Sequence, residues 1–131
     1  LWMRTSTDGG STYDAGASDY EWYVNSTELD TTPSSVDTAD DADNQIEITG
    51  TDTMGNQANE NGAFTIWISN PRAVQYCRIY GQGNFTGSTP TGVAVNFTGS
   101  RKAAADVDAI RFLMNSGNIT TGEFILYGLS A

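Results

Sequence analysis

The chain has no histidine, a single cysteine, a single lysine and only three prolines among its 131 residues. Each scarcity removes a class of chemistry. Without histidine there is no Ser-His-Asp or Cys-His constellation and no zinc site of the usual imidazole-bearing kind. The lone Cys77 has no partner for an internal disulfide. It stands in an apolar strand pattern, so it reads as a small buried hydrophobe rather than a thiolate nucleophile, which would need a neighbouring base. Six basic residues face sixteen acidic ones, a formal net charge of −10. Such a surface repels phosphate backbones and anionic bilayers and keeps a domain soluble, so neither a nucleic-acid nor a membrane partner is expected. No apolar run is long enough to cross a bilayer as a helix. No window of ten or more residues carries the 3.6-residue apolar period of an amphipathic helix. P-loop and dinucleotide fingerprints are missing, and no cofactor or metal is expected. Glu21, Glu47, Glu60 and Glu123 are scattered, with nothing to hold two of them across a sugar as a glycosidase requires. No catalytic residue is assigned, and a non-enzymatic role follows.

What is present is turn-forming and strand-forming: 14 Gly, 6 Tyr, 5 Phe and 3 Trp, with abundant Thr, Ser and Asn. Short alternating apolar runs separated by Gly/Asn/Asp/Ser clusters point to one all-β domain over residues 1–131. The expected fold is a two-sheet antiparallel β-sandwich, jelly-roll-like, of about eight or nine strands. Leu1-Trp2-Met3-Arg4-Thr5-Ser6 already reads as the middle of a strand, so upstream residues are expected to precede it. Leu1, Met3 and Thr5 share one side. The following Ser6-Thr7-Asp8-Gly9-Gly10-Ser11-Thr12-Tyr13 fits the Asp-box pattern Ser-x-Asp-x-Gly-x-Thr-aromatic. In that device the carboxylate collects backbone N–H groups, glycine permits the sharp return and the aromatic plugs the base of the turn. One copy without a blade-length repeat is a folding device and no sign of a propeller.

Residues Asp19–Asn25 alternate, with Tyr20, Trp22 and Val24 on one face. Residues 26–44 carry Asp30, Asp37, Asp40, Asp41 and Asp43 with no apolar period, and are expected to form a long acidic surface loop. Asp41-x-Asp43-x-Gln45 resembles part of a calcium loop but lacks the sixth-position Gly and the distal Glu, so a solvated acidic loop is the stronger reading. Further strands are expected at Gln45–Thr49, Ala63–Ser69, Val74–Gln82 and Val93–Phe97, with a Gly-rich connection over 81–92. Arg101–Ala105 fits a short strand or a helical turn equally. The last segment is expected to be a hairpin at the heart of the domain. In it Ile110, Phe112 and Met114 face the core, Asn115-Ser116-Gly117-Asn118 turns the chain, and Phe124 and Leu126 return along a second strand. Four Asn-x-Ser/Thr sequons, at Asn25, Asn84, Asn96 and Asn118, arise easily by chance in so Asn- and Thr-rich a chain.

The alternation leaves Trp2, Tyr23, Trp67, Tyr76, Tyr80 and Tyr127, with Arg4, Arg78 and Arg111, opposite the core face, and of these Trp2, Trp67, Tyr76, Arg78, Tyr80, Arg111 and Tyr127 are the candidate contacts. Several aromatic and Arg residues on one sheet face mark a contact surface. Three readings stay open: packing on another copy or another protein, stacking of sugar rings, or a register slip that places some of these residues in the core.

The front segment from Leu1 to Tyr20, together with Val107–Ile119 and Gly122–Leu129 at the back, resembles the β-sandwich modules of tailed-bacteriophage virion proteins. The resemblance spans nearly the whole chain, loosest in the middle loops, and carries no catalytic motif. It implies an outer component of an extracellular particle: a tail appendage, fibre-associated module or capsid decoration. Its expected partners are other copies of itself, a trimer being favoured, other virion proteins, and alternatively a host surface glycan.

Overall fold

The structure, a computed structural model, describes residues 1–30 and 32–129. Eight strands form two antiparallel sheets, and no helix occurs among the described residues. The strands are β1 (Trp2–Ser6), β2 (Tyr20–Leu29), β3 (Ser35–Asp43), β4 (Ile46–Glu47), β5 (Gly62–Ser69), β6 (Arg78–Thr86), β7 (Gly92–Arg101) and β8 (Ala109–Leu113). The small sheet runs β4-β1-β8 and the large one β3-β2-β7-β6-β5. The result is the expected sandwich. Pairing of β1 with β8 and of β2 with β7 sets the first strands against the last, which is its jelly-roll-like element, whereas β5-β6-β7 is a simple meander.

The core is what the two-residue period dictates. Met3 from β1, Tyr20, Trp22 and Val24 from β2, Ile46 and Ile48 around β4, Ile79 and Phe85 from β6, and Val93, Val95 and Phe97 from β7 are buried together. On β6 the inward positions between Ile79 and Phe85 are Gly81 and Gly83. A β-carbon at Gly81 would lie 2.5 Å from the Phe97 ring, and one at Gly83 would lie 2.4 Å from the Phe64 ring. Two aromatic rings therefore lie across a strand that carries no side chains beneath them.

The Asp-box connects the two sheets. Asp8 accepts both the backbone N–H of Thr12 (2.9 Å) and its hydroxyl (2.7 Å), while Ser6 Oγ accepts the N–H of Gly10, whose φ is +83°. The two Thr12 bonds, with one that Ser6 Oγ donates to Asp8 at 2.8 Å, hold the Asp8 carboxyl down at about 2, the Thr12 backbone bond being the largest cause. Tyr13 does not plug a hairpin base. It lies beneath the Arg111 guanidinium, 4.5 Å from its ring centre, because the chain leaves β1 for the other sheet instead of returning beside it. Tyr20 closes the crossing from inside: its hydroxyl accepts the Thr5 N–H at 2.8 Å and donates to the Asp14 carbonyl at 3.2 Å. Asp14 in turn pairs with Arg101 at 2.5 Å.

Three expectations need correction. The acidic stretch 26–44 is no long loop. β2 continues to Leu29 and Ser35–Asp43 forms β3, leaving a short connection in which Thr31 lies outside the described residues. An edge strand needs only backbone partners, which β2 supplies from Tyr20 to Thr27, so it forms without an apolar face and its aspartates discourage further pairing. The strand expected at Val74–Gln82 starts later, at Arg78, and runs through the Gly-rich stretch to Thr86. The glycines there are the sites that admit Phe64 and Phe97. Finally, the C-terminal hairpin does not form. Ile110 and Phe112 do lie on β8 and pack half-buried against the core. Residues Glu123–Leu129, however, belong to no strand and are exposed. β8 takes its partner from β1 at the far end of the sequence.

Candidate functional surface

The backbone register of the large sheet decides which side chains stand together on its outer face. Trp67 of β5 is opposite Tyr80 of β6, Tyr80 is opposite Thr98 of β7, and Thr98 is opposite Tyr23 of β2. One transverse row therefore crosses four strands and carries three aromatic rings. The Trp67 and Tyr80 rings are nearly parallel, 12° apart with centroids 6.2 Å apart, the offset geometry aromatic pairs prefer. Trp67, Tyr80 and Tyr23 are 46%, 56% and 43% exposed, so each keeps an open face.

A polar row flanks each side. On one side Thr65, Gln82, Asn96, Asn25 and Asp37 are consecutive cross-strand neighbours. Asp37 accepts hydrogen bonds from Asn25 Nδ2 (2.7 Å) and from the Tyr23 hydroxyl (2.9 Å). Those bonds, Asn25's first, hold its carboxyl below the usual range and push the Tyr23 phenol up. On the other side Arg78, Ser100 and Glu21 align, and Ser100 Oγ donates to Glu21 at 2.8 Å. Arg78 has no ion-pair partner among the described residues. It overlooks an open groove of about 650 Å³ bounded also by Glu21, Tyr23, Asp40, Asp41 and Ser100. A second depression on the same face lies among Gln82, Asn84, Ala94 and Asn96. Neither is an enclosed cavity. The face is shallow, broad and mixed in character, suited to a flat partner or to rings laid against it.

The seven residues singled out from alternation do not make one patch. Trp67, Arg78 and Tyr80 do meet on this outer face, and Tyr76, 53% exposed, sits in the connection just before β6. Trp2 and Arg111 belong to the small sheet, whose outer face looks the opposite way. There Trp2 is opposite Glu47 and Leu113, and Arg111 covers Tyr13. Tyr127 lies in the unpaired C-terminal segment. A period of two separates inside from outside but is blind to which of two sheets a strand joins. Alternation had already turned Tyr23 outward, whereas Asn25, Gln82 and Asn96 escaped attention because polar outward residues are ordinary in strands. Only the register brings them beside the aromatic row.

Cys77 is buried, and burial is the main cause that pushes its thiol up, opposed by the charge of Arg101. In the stretch with calcium-like spacing, the Asp43 carboxylate accepts hydrogen bonds from Trp22 Nε1 (2.8 Å) and Gln45 Nε2 (3.1 Å), so it serves the end of β3. Among the described residues no group of three or more acidic, His or Cys side chains is arranged to hold a metal. No known protein family, curated protein or solved structure matches the chain.

Proposed function

We propose that this domain is a non-enzymatic structural module of a tailed-bacteriophage virion, which self-associates and docks onto the tail or capsid through the outer face of the large sheet. The observation that carries this reading is the transverse row Trp67-Tyr80-Thr98-Tyr23, with half-exposed stacked rings beside Arg78, which has no ion-pair partner among the described residues. Tyr, Trp and Arg are the residues that supply most binding energy at protein interfaces, and half-exposed ones cost little to desolvate further. The resemblance of the front and back segments to phage virion modules points the same way. The test is the native mass of the full chain and of Trp67→Ala/Tyr80→Ala. The double variant should lose assembly while keeping its far-ultraviolet spectrum and most of its thermal stability. Unchanged assembly would remove this face as the contact.

A second reading has its own support. Aromatic faces next to a row of amides and a carboxylate, Gln82, Asn96, Asn25 and Asp37, form the combination that stacks and hydrogen-bonds neutral sugars. In this reading the domain is a carbohydrate-binding module for a host surface glycan. Saturable glycan-array binding that is lost on Trp67→Ala and on Asn96→Ala would favour it over the assembly reading.

A further inference from the structure

The two sheets are unequal, and the shortfall lies on one side. β4 packs over β2 and β7, at one border of the small sheet. The approach to β8, at its other border, is tied to the β5–β6 connection: Val107 N–H donates to the Pro71 carbonyl at 2.7 Å, and Gln75 bridges Ala105. The small sheet stops at β8. The inward side chains of β5 opposite, Phe64, Ile66 and Ile68, are only half-buried, as are Ile110 and Phe112 on β8. The edge protection is equally one-sided. β3, at the far border of the large sheet, carries Asp37, Asp40, Asp41 and Asp43. β5 carries no charge at all, and β8 carries only Arg111. A sandwich guards the edges it leaves open and leaves unguarded the ones that are covered.

The same chain contains a segment with nothing to pair with. Glu123-Phe124-Ile125-Leu126-Tyr127-Gly128-Leu129 is strand-like in composition, yet its residues join no sheet, and among the described residues no hydrogen bond ties them to the body. Its side chains from Ile125 (62% exposed) to Leu126 (85%) lie open to solvent. A single ring contact, Phe124 on Phe112 with centroids 5.3 Å apart, holds its root beside β8. The turn that should bring it back along β8 does bend, with Gly117 at φ +76°. Beyond the Phe124 contact, nevertheless, the segment forms no ladder with its own edge.

We infer that Glu123–Leu129 is a donated strand: it adds to the free edge of β8 in a second copy of this chain and covers that copy's Phe64, Ile66 and Ile68. Lengths match, since β8 offers five residues and the segment has seven to lay along them at ~3.3 Å each. The only charges on the two strands are opposite, Arg111 on β8 and Glu123 on the segment. Backbone bonds to the edge provide the binding and apolar side chains provide the cover, as in other strand-addition interfaces. Because every copy carries one segment and one open edge, the exchange propagates around a ring and closes it if the rotation allows. The inference rests on the reading of the chain as a self-associating module but uses a different surface from the aromatic face.

The test compares three full chains at micromolar concentration by native mass spectrometry and light scattering: wild type, Ile125→Pro/Leu126→Pro and Trp67→Ala/Tyr80→Ala. Two adjacent prolines remove the N–H that would face the edge whichever way the strand lies. The expected result is a wild-type multimer. The proline variant should fall to a single-chain mass of 14.0 kDa with an unchanged fold. An equimolar mixture of isotope-labelled and unlabelled wild type should show nuclear Overhauser contacts between Ile125–Leu129 of one chain and β8 of another. A proline variant that stays multimeric while the Trp67/Tyr80 variant dissociates would overturn strand donation and leave the aromatic face as the contact. Contacts confined to one chain, or made to β5 instead of β8, would overturn it too, as would a monomeric wild type.

Discussion

Gly81→Ala isolates the feature on which the interior of the large sheet is built. The added β-carbon would stand 2.4 Å from the Thr65 carbonyl oxygen and 2.5 and 2.8 Å from the Phe97 ring. Two opposing effects set the outcome. Alanine narrows the unfolded ensemble, a gain of roughly 0.4–1 kcal/mol where the native backbone accepts it. Overpacking a filled core costs about 1–3 kcal/mol. Here one of the crowding atoms is backbone on the neighbouring paired strand and cannot swing aside, so the cost belongs at the upper end of that range. The net loss expected is about 2 kcal/mol, or a fall in Tm of about 6–10 °C for a domain of this size. Urea unfolding followed by tryptophan fluorescence would measure it, with an unchanged m-value showing that the denatured state is the same. Phe97→Leu removes the ring atoms but not the Thr65 contact, so Gly81→Ala in that background should cost about half as much, a coupling near 1 kcal/mol. Gly87→Ala is the control: its β-carbon meets nothing closer than 3.4 Å, and the change should stay within about 0.5 kcal/mol. A Gly81→Ala cost below that bound, or an equal cost in both backgrounds, would refute the placement of the Phe97 ring across β6.

Other expectations can be checked on the same material. Tyr20→Phe leaves the buried Thr5 N–H without its 2.8 Å acceptor and should cost about 1–3 kcal/mol, read from the urea midpoint. The Asp8 carboxyl lies at about 2, below its usual 3.8. A depressed folded value means that its contribution is complete above about pH 4 and is lost as the pH falls through 2. Carbon-13 titration of the side chain should show that midpoint, and Asp8→Asn should remove this acid-dependent part from the unfolding profile. A midpoint near 4 would mean that the Thr12 and Ser6 bonds do not persist in solution.

Much of the interior was legible from the residues, and the reason is local. Tyr20, Trp22 and Val24, the pair Ile46 and Ile48, and Val93, Val95 and Phe97 alternate with polar neighbours, and a strand sends alternate side chains to opposite faces wherever it lies. The Asp-box was legible on the same ground, since the side-chain bonds of Ser6 and Asp8 that shape it reach no further than Thr12, although the Gly9 N–H goes to the distant Asp108. β3 was not, because an edge strand is made by its neighbour's backbone, and Ser35–Asp43 carries no apolar signal of its own. The Gly-rich run of β6 looked like a connection because its missing side chains are supplied by Phe64 and Phe97 from adjacent strands.

The division at the contact surface follows the same physics. By itself the sequence determined that Trp67, Arg78 and Tyr80 point away from the core, since alternation needs no partner. Only the tertiary structure could decide that Trp2 and Arg111 look the opposite way from them, that Tyr23 completes the aromatic row and three amides flank it, and that Phe124–Leu129 finds no strand in its own domain. Sheet membership and register depend on pairings between residues as distant as Ser6 and Ala109. Those pairings are chosen by what the whole core buries, and no local pattern encodes them.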